Sequence, residues 1–199
     1  MNADVCGHGA IEQASQWVAR FLPLIPQGRV LDLACGGGRH ARLLASAGHS
    51  VLAVDRNAEA LAAIDALGDS RICTRQVDLE IADDVARPQH WPLGPAVYTG
   101  IVVTNYLHRP LLPALFDSLV DGGVLIYETF AVGNGKYGKP SSPAFLLEPG
   151  ELLRAAVGAG PDFRVIAFED GFLSQPRPAM VQRVCVLRGR PENDSGIAL

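Results

Sequence analysis

The sequence predicts a single α/β domain around a mostly parallel sheet, and three observations carry that expectation. Short β-rich runs alternate with segments of helical periodicity along most of the chain. The run Val30-Leu31-Asp32-Leu33-Ala34 leads through Gly36, Gly37 and Gly38 into a helical pattern, as a strand does when it turns into a helix beside a ligand. The chain has 199 residues, 48% of them hydrophobic, which suits one domain with one substantial core.

The elements follow in order. Residues 11–22 read as an amphipathic helix packed ahead of the first strand, within an N-terminal helical segment over 1–27. After the glycines, 39–47 places Ala41, Leu43, Leu44 and Ala47 at helical spacing, and Gly48 stops the helix. Residues 50–54 form the second strand. Asn57 caps a helix over 58–67, because its side-chain oxygen accepts an orphan backbone N–H. Strands at 71–77 and 98–103 come next, then a helix over 110–120 with Pro110 at a tolerated first position. Asp121-Gly122-Gly123 reads as a turn into a fifth strand at 124–128. A Gly/Pro/Ser-rich loop over 131–149, carrying Lys136, Tyr137 and Lys139, has the length of a lid. A helix at 151–157 and closing strands at 163–168 and 180–187 complete a domain over 1–190, with 191–199 as a tail.

Composition narrows the function. Lys+Arg 17 against Asp+Glu 21 gives a net charge of −4 without a long basic run, which argues against a nucleic-acid partner. No apolar stretch approaches the ~18 residues that a membrane helix needs. Met1-Asn2-Ala3-Asp4 carries an acid where a secretory leader carries Lys or Arg, so the expected location is cytoplasmic. Cysteines at 6, 35, 73 and 185 form no C-x-x-C pair, so reduced thiols are expected and a metal site is not. Cys35 reads as a small buried filler.

The chemistry concentrates in Val30-Leu31-Asp32-Leu33-Ala34-Cys35-Gly36-Gly37-Gly38-Arg39-His40. Glycine after a strand lets backbone approach a ligand, and the next helix offers unpaired N–H groups. Gly36-x-Gly38-x-x-Ala41 also satisfies a dinucleotide pattern. Asp32 tips the reading away from a pyrophosphate, because a carboxylate aimed at the loop repels an anion and attracts a cation. Asp55 ends the second strand and Asp78 the third. They suit a ribose diol and an adenine amino group respectively. Three strand-end acids form a row at the carboxyl edge of the sheet, where open α/β folds bind ligands.

The glycine turn resembles motif I of the class I S-adenosylmethionine-dependent methyltransferases, and the likeness spans about residues 28–188. Within that class the chain resembles the bacterial branch near the tellurite-resistance methyltransferases, through Asn105-Tyr106-Leu107-His108-Arg109-Pro110 and Glu128-Thr129-Phe130-Ala131-Val132-Gly133-Asn134. The resemblance implies a Rossmann-like, seven-stranded, mostly parallel sheet with helices on both faces and a C-terminal antiparallel hairpin. It implies that Asp32 reads the methionine amino group, with Ala34, Gly36 and Gly38 around the methionine end. Asp55 takes the ribose with Arg56 beside the adenine, and Asp78 and Leu79 read the adenine edge. Asn105 and Tyr106 face the methyl group and the acceptor. Pro95-Ala96-Val97-Tyr98 departs from the acid that begins the fourth strand in many relatives.

Further candidates come from the residues themselves. Arg39 suits the methionine carboxylate, or a solvated first helical turn. His40 reads as a helix-surface residue. His108 is the candidate general base. Tyr106 offers its ring to the sulfonium, or to packing. Glu128 ends the fifth strand, where it can orient the acceptor. The expected function is S-adenosylmethionine-dependent methyl transfer to a small-molecule acceptor. Two rivals stand beside it: an NAD-dependent oxidoreductase, which also fits the glycines and Asp55, and a non-catalytic cofactor-binding protein on the same fold.

Overall fold

The computed structural model describes residues 13–80 and 91–189. Twelve elements follow in chain order: α1 (Gln16–Phe21), β1 (Arg29–Leu33), α2 (Arg39–Ser46), β2 (Ser50–Asp55), α3 (Ala58–Asp65), β3 (Ile72–Gln76), β4 (Tyr98–Thr104), α4 (Leu112–Asp117), β5 (Leu119–Phe130), α5 (Glu151–Gly158), β6 (Phe163–Leu173) and β7 (Ala179–Arg188). The seven strands form one sheet in the order β3-β2-β1-β4-β5-β7-β6. β1 to β5 pair in parallel, while β7 runs antiparallel to both β5 and β6. The implied fold is therefore the observed one.

Strand residues alternate between two cores. Leu31, Leu33, Ile101, Val103, Leu125 and Tyr127 pack with Leu115 of α4 and Leu152 of α5. Val30, Val51, Ala53 and Val102 pack on the opposite face with α1, α2 and α3, through Trp17, Leu44 and Leu61. Runs apolar on both faces are what a sheet covered by helices on each side requires.

Several boundaries differ from the sequence reading. α1 begins only at Gln16, because the Ser15 hydroxyl accepts the Trp17 N–H at 3.1 Å and caps the helix. Residues 11 and 12 of the expected helix, and the expected tail, lie outside the described residues. α4 is shorter than 110–120. Arg109–Leu111 forms a 3₁₀ turn before it, and Leu119 already belongs to the sheet. The expected turn at Asp121-Gly122-Gly123 is an irregularity inside β5, where Tyr98 pairs with Leu119 but Gly100 pairs with Val124. A Cβ at Gly123 would lie 2.9 Å from the Val120 carbonyl oxygen, so glycine is what lets the strand continue through this kink.

Candidate active site

Asp32 is buried beneath the first turn of α2, which opens directly from the glycine turn. It pairs in register with Ala53 and Val102, and strand alternation puts it on the face of Val30, beneath α2. It is 1% exposed, and Oδ2 finds no hydrogen-bond partner among the described residues. Burial pushes its carboxyl up to about 7, opposed by the Ala41 backbone N–H and the Arg39 guanidinium. His40 beside it is buried as well, which corrects the expectation of a surface residue. Its Nε2 accepts the Ser15 backbone N–H at 3.0 Å, so the ring proton sits on Nδ1 and is donated to the Thr104 hydroxyl at 3.3 Å. Burial lowers its pKa to about 3, which keeps the ring neutral and unsuited to proton transfer near pH 7.

Three cavities lie along the carboxyl ends of the strands. The first, about 510 Å³, is lined by Ala34, Gly36, Gly37, Arg39, Arg42 and Asn105. The second, about 250 Å³, is lined by Ala34, Asp55, Asp78, Leu79, Asn105 and Tyr106, with Arg56 and Glu80. The third, about 480 Å³, runs between residues 13–16, Glu128 and the β6–β7 connection, and shares Arg39 with the first. Asn105 lines all three. It adopts φ +56°, a left-handed conformation that asparagine tolerates well, and its N–H donates to the Glu128 carbonyl at 3.0 Å.

Asp55 holds the glycine turn in place. Its Oδ2 accepts the Gly36 N–H at 2.8 Å and its Oδ1 the Asn57 N–H at 2.9 Å. Each carboxylate oxygen has a second lone pair left for a ligand hydroxyl. Asp78 lies two residues beyond β3, with Oδ1 accepting the Glu80 N–H at 2.9 Å. Arg56 stands 3.8 Å from Glu80 in an exposed ion pair. A Cβ on Gly36 would meet nothing within 4 Å, so this backbone borders open space. Gly38 differs: it lines none of the three cavities. At φ +71°, a Cβ there would lie 2.7 Å from Ile64 Cδ1, so its role is close packing of the turn against α3.

Ala34 holds φ +53° at the junction of the first two cavities. A left-handed conformation costs an L-residue about 1–2 kcal/mol. Ala34→Gly relieves this, partly offset by the added freedom of the unfolded chain. A gain of about 0.5–1 kcal/mol in urea unfolding is expected, and a loss of stability would contradict the strain.

Other expected placements change. Tyr106 faces the second cavity with Asp78 and Glu80, not the third, and burial first, then Glu80, raises its hydroxyl pKa. His108 begins the 3₁₀ turn at Arg109–Leu111 and lines none of the three cavities. The 131–149 loop is pinned instead of open. Asn134 Nδ2 donates to the Pro140 carbonyl, and Asn134 Oδ1 accepts the Met180 N–H. Arg109 donates to the Ala144 and Leu146 carbonyls and makes a two-point pair with Glu151. Tyr137 packs on Phe172 with ring centroids 5.0 Å apart, and no residue of the loop lines these cavities.

The residues that close the third cavity come from both ends of the chain. The Ser15 hydroxyl donates to Glu128 Oε1 at 2.9 Å, and Arg183 donates to Glu128 Oε2 at 3.1 Å. Arg183 also stacks over Trp17, 4.9 Å from the ring centroid. Sequence reasoning singled out Glu128 but missed Ser15, Arg42, Thr104, Arg177 and Arg183. Of these only Arg42 had a local signal, three residues after Arg39 on one helix face. Among the described residues no group of three His, Cys, Asp or Glu is placed to hold a metal ion, and no helix is long and apolar enough to cross a membrane.

Residues 30–122, from β1 into β5, match a family model described as a methyltransferase domain. No curated protein matches the chain in sequence. Among solved structures, an S-adenosylmethionine-dependent methyltransferase from Mesorhizobium loti superposes with a TM-score of 0.67 at 19% identity, covering 90% of this chain and 100% of that one. Another from Methanosarcina mazei gives 0.66 at 13% identity over 90% and 100%. TehB from Haemophilus influenzae gives 0.65 at 18% identity over 87% of this chain and 61% of its own. At these identities the likeness shows the fold. In that fold the matched segment contributes β1 to β4 and the first residues of β5, hence every lining residue of the first two cavities.

Proposed function

We propose that the chain transfers a methyl group from S-adenosylmethionine to a small-molecule acceptor in the cytoplasm. The observation that carries this is the charge order along the groove. Asp55 and Asp78 line one cavity, Arg39 and Arg42 the next, and Ala34 and Asn105 join them. An adenosine with a zwitterionic amino-acid tail presents hydroxyls and an amino group to Asp55 and Asp78 and a carboxylate to Arg39 and Arg42. The solved S-adenosylmethionine-dependent methyltransferases that share the fold support the same cofactor. The orphaned Asp32 oxygen and the open space at Gly36 fit this ligand. A buried carboxylate lacking a partner favours an ammonium nearby, reached directly or through water.

When bound, S-adenosylmethionine supplies an electrophilic methyl group. Asp55 takes the ribose diol with its remaining lone pairs. Asp78, the Leu79 backbone and the Tyr106 ring flank the adenine, with Arg56 at the rim. Arg39 and Arg42 hold the methionine carboxylate. Asn105, common to all three cavities, marks where the methyl meets the acceptor in the third. A methyl group presented there would be open to in-line attack by an acceptor, with the bonding pair left on the sulfur. Alignment and exclusion of water are the protein's main contributions. His108 stands away from this junction, so a nucleophile that needs no base from it suits the site. The strand order weighs against the NAD reading, because dinucleotide folds place β6 beside β5 whereas here antiparallel β7 lies between them.

Thermal unfolding tests the proposal. Saturating S-adenosylhomocysteine is expected to raise Tm by roughly 5–10 °C, because ligand at about 100 Kd adds about 2.7 kcal/mol. NAD is expected to leave Tm unchanged. A shift with NAD alone would favour the oxidoreductase.

A further inference from the structure

We infer that the acceptor is a small organic anion with an apolar body, and that Arg177 selects it. This rests on the methyl-transfer reading, which makes the third cavity the acceptor's. The chain carries a net charge of −4, yet among the described residues the charged side chains lining this cavity are Arg39, Arg177 and Arg183 with a single carboxylate, Glu128. A locally positive pocket on an acidic protein concentrates anions.

The three guanidiniums are not equivalent. Arg183 lies 3.1 Å from Glu128 and 2.7 Å from Glu169, so two carboxylates match its charge. Arg39 donates to the Gln13 carbonyl at 3.4 Å, and its charge acts on Asp32. Arg177, exposed on the β6–β7 connection, makes no hydrogen bond or ion pair with any described residue. A guanidinium with all five donors unspent suits a carboxylate or a similar planar anion, which it can grip at two points.

The rest of the wall is hydrocarbon. Phe130, Ala179 and Val181 form a small apolar cluster with Leu146, separate from the two sheet cores, and Leu173 packs against it. Four of these five line the cavity. An inorganic oxyanion would leave that wall unfilled, and an organic cation would meet like charge. At about 480 Å³ the space matches a small organic molecule. Glu128 is a weak draw for a cation in its place, since the Arg183 guanidinium paired to it at 3.1 Å offsets its charge.

The test uses the full chain saturated with S-adenosylhomocysteine. Matched acid, amide and amine probes are titrated, each triplet sharing one apolar body: phenylpropyl, indolylethyl or octyl. At least one acid is expected to bind tenfold or more tighter than its amide, and its amine to bind more weakly still. Arg177→Gln, at an exposed position, is expected to bring the acid down to the amide's affinity without changing S-adenosylhomocysteine affinity. Amides or amines that bind as tightly as the acids, acids that do not bind, or an Arg177→Gln variant that retains full acid affinity would overturn the inference. If S-adenosylhomocysteine itself does not bind, the methyl-transfer reading fails first.

Discussion

Asp32→Asn is expected to be more stable than the parent at pH 8 and nearly equal to it at pH 4. The folded carboxyl has a pKa of about 7 against the ordinary 3.8 of an aspartate, because burial disfavours its charge. Below about pH 3.8 both folded and unfolded chains are protonated, and the group's full contribution to stability is present. Between about 4 and 7 the unfolded chain has released its proton while the folded chain retains it, so parent stability falls as pH rises. Above about 7 the folded group is ionised too, and the penalty levels off. The shift corresponds to roughly 4 kcal/mol, which the neutral amide of similar shape escapes. Urea unfolding of both proteins across pH 4–8 measures the difference, and parallel curves would show that Asp32 is ionised and satisfied without a ligand. Bound S-adenosylhomocysteine is expected to narrow the gap, because a nearby ammonium favours the carboxylate.

Asp55→Ala is expected to weaken S-adenosylhomocysteine binding by about 3 kcal/mol, roughly a hundredfold. The substitution removes both ribose acceptors and releases the Gly36 N–H that Asp55 holds at 2.8 Å, so the ligand's partner and the shape of its turn are lost together. Asp55→Asn keeps one acceptor oxygen and is expected to recover part of the affinity. Calorimetric titration of the two variants measures this, with melting curves to confirm that both fold. Parent-like affinity in both would reduce Asp55 to a cap on the turn.

Much of the groove was legible in the sequence because its parts are local. Asp55 follows directly from β2, Asp78 stands just after β3, and the glycine turn follows β1. Each sits where the sheet's carboxyl edge must be. Asp32 was legible as a key residue but not in its depth. Period-two alternation puts it with Val30 beneath the first turn of α2, where it is buried. Tyr106 misled for a similar reason, since one residue beyond Asn105 the chain has turned toward Asp78 and Glu80. The third cavity was illegible because residues far apart in sequence build it: Ser15 meets Glu128 across 113 residues, and Arg183 meets Glu128 across 55. The 131–149 loop has the composition of a lid, yet Asn134 and Arg109 spend their hydrogen bonds tying it down. Composition does not reveal such pins.

The groove is built for an adenosine with a zwitterionic amino-acid tail. Isothermal titration of S-adenosylhomocysteine and of NAD into the same protein at pH 8 tests it most directly. One equivalent of S-adenosylhomocysteine binding per chain, with no heat from NAD, is the result predicted. Saturable binding of NAD with none of S-adenosylhomocysteine would contradict it.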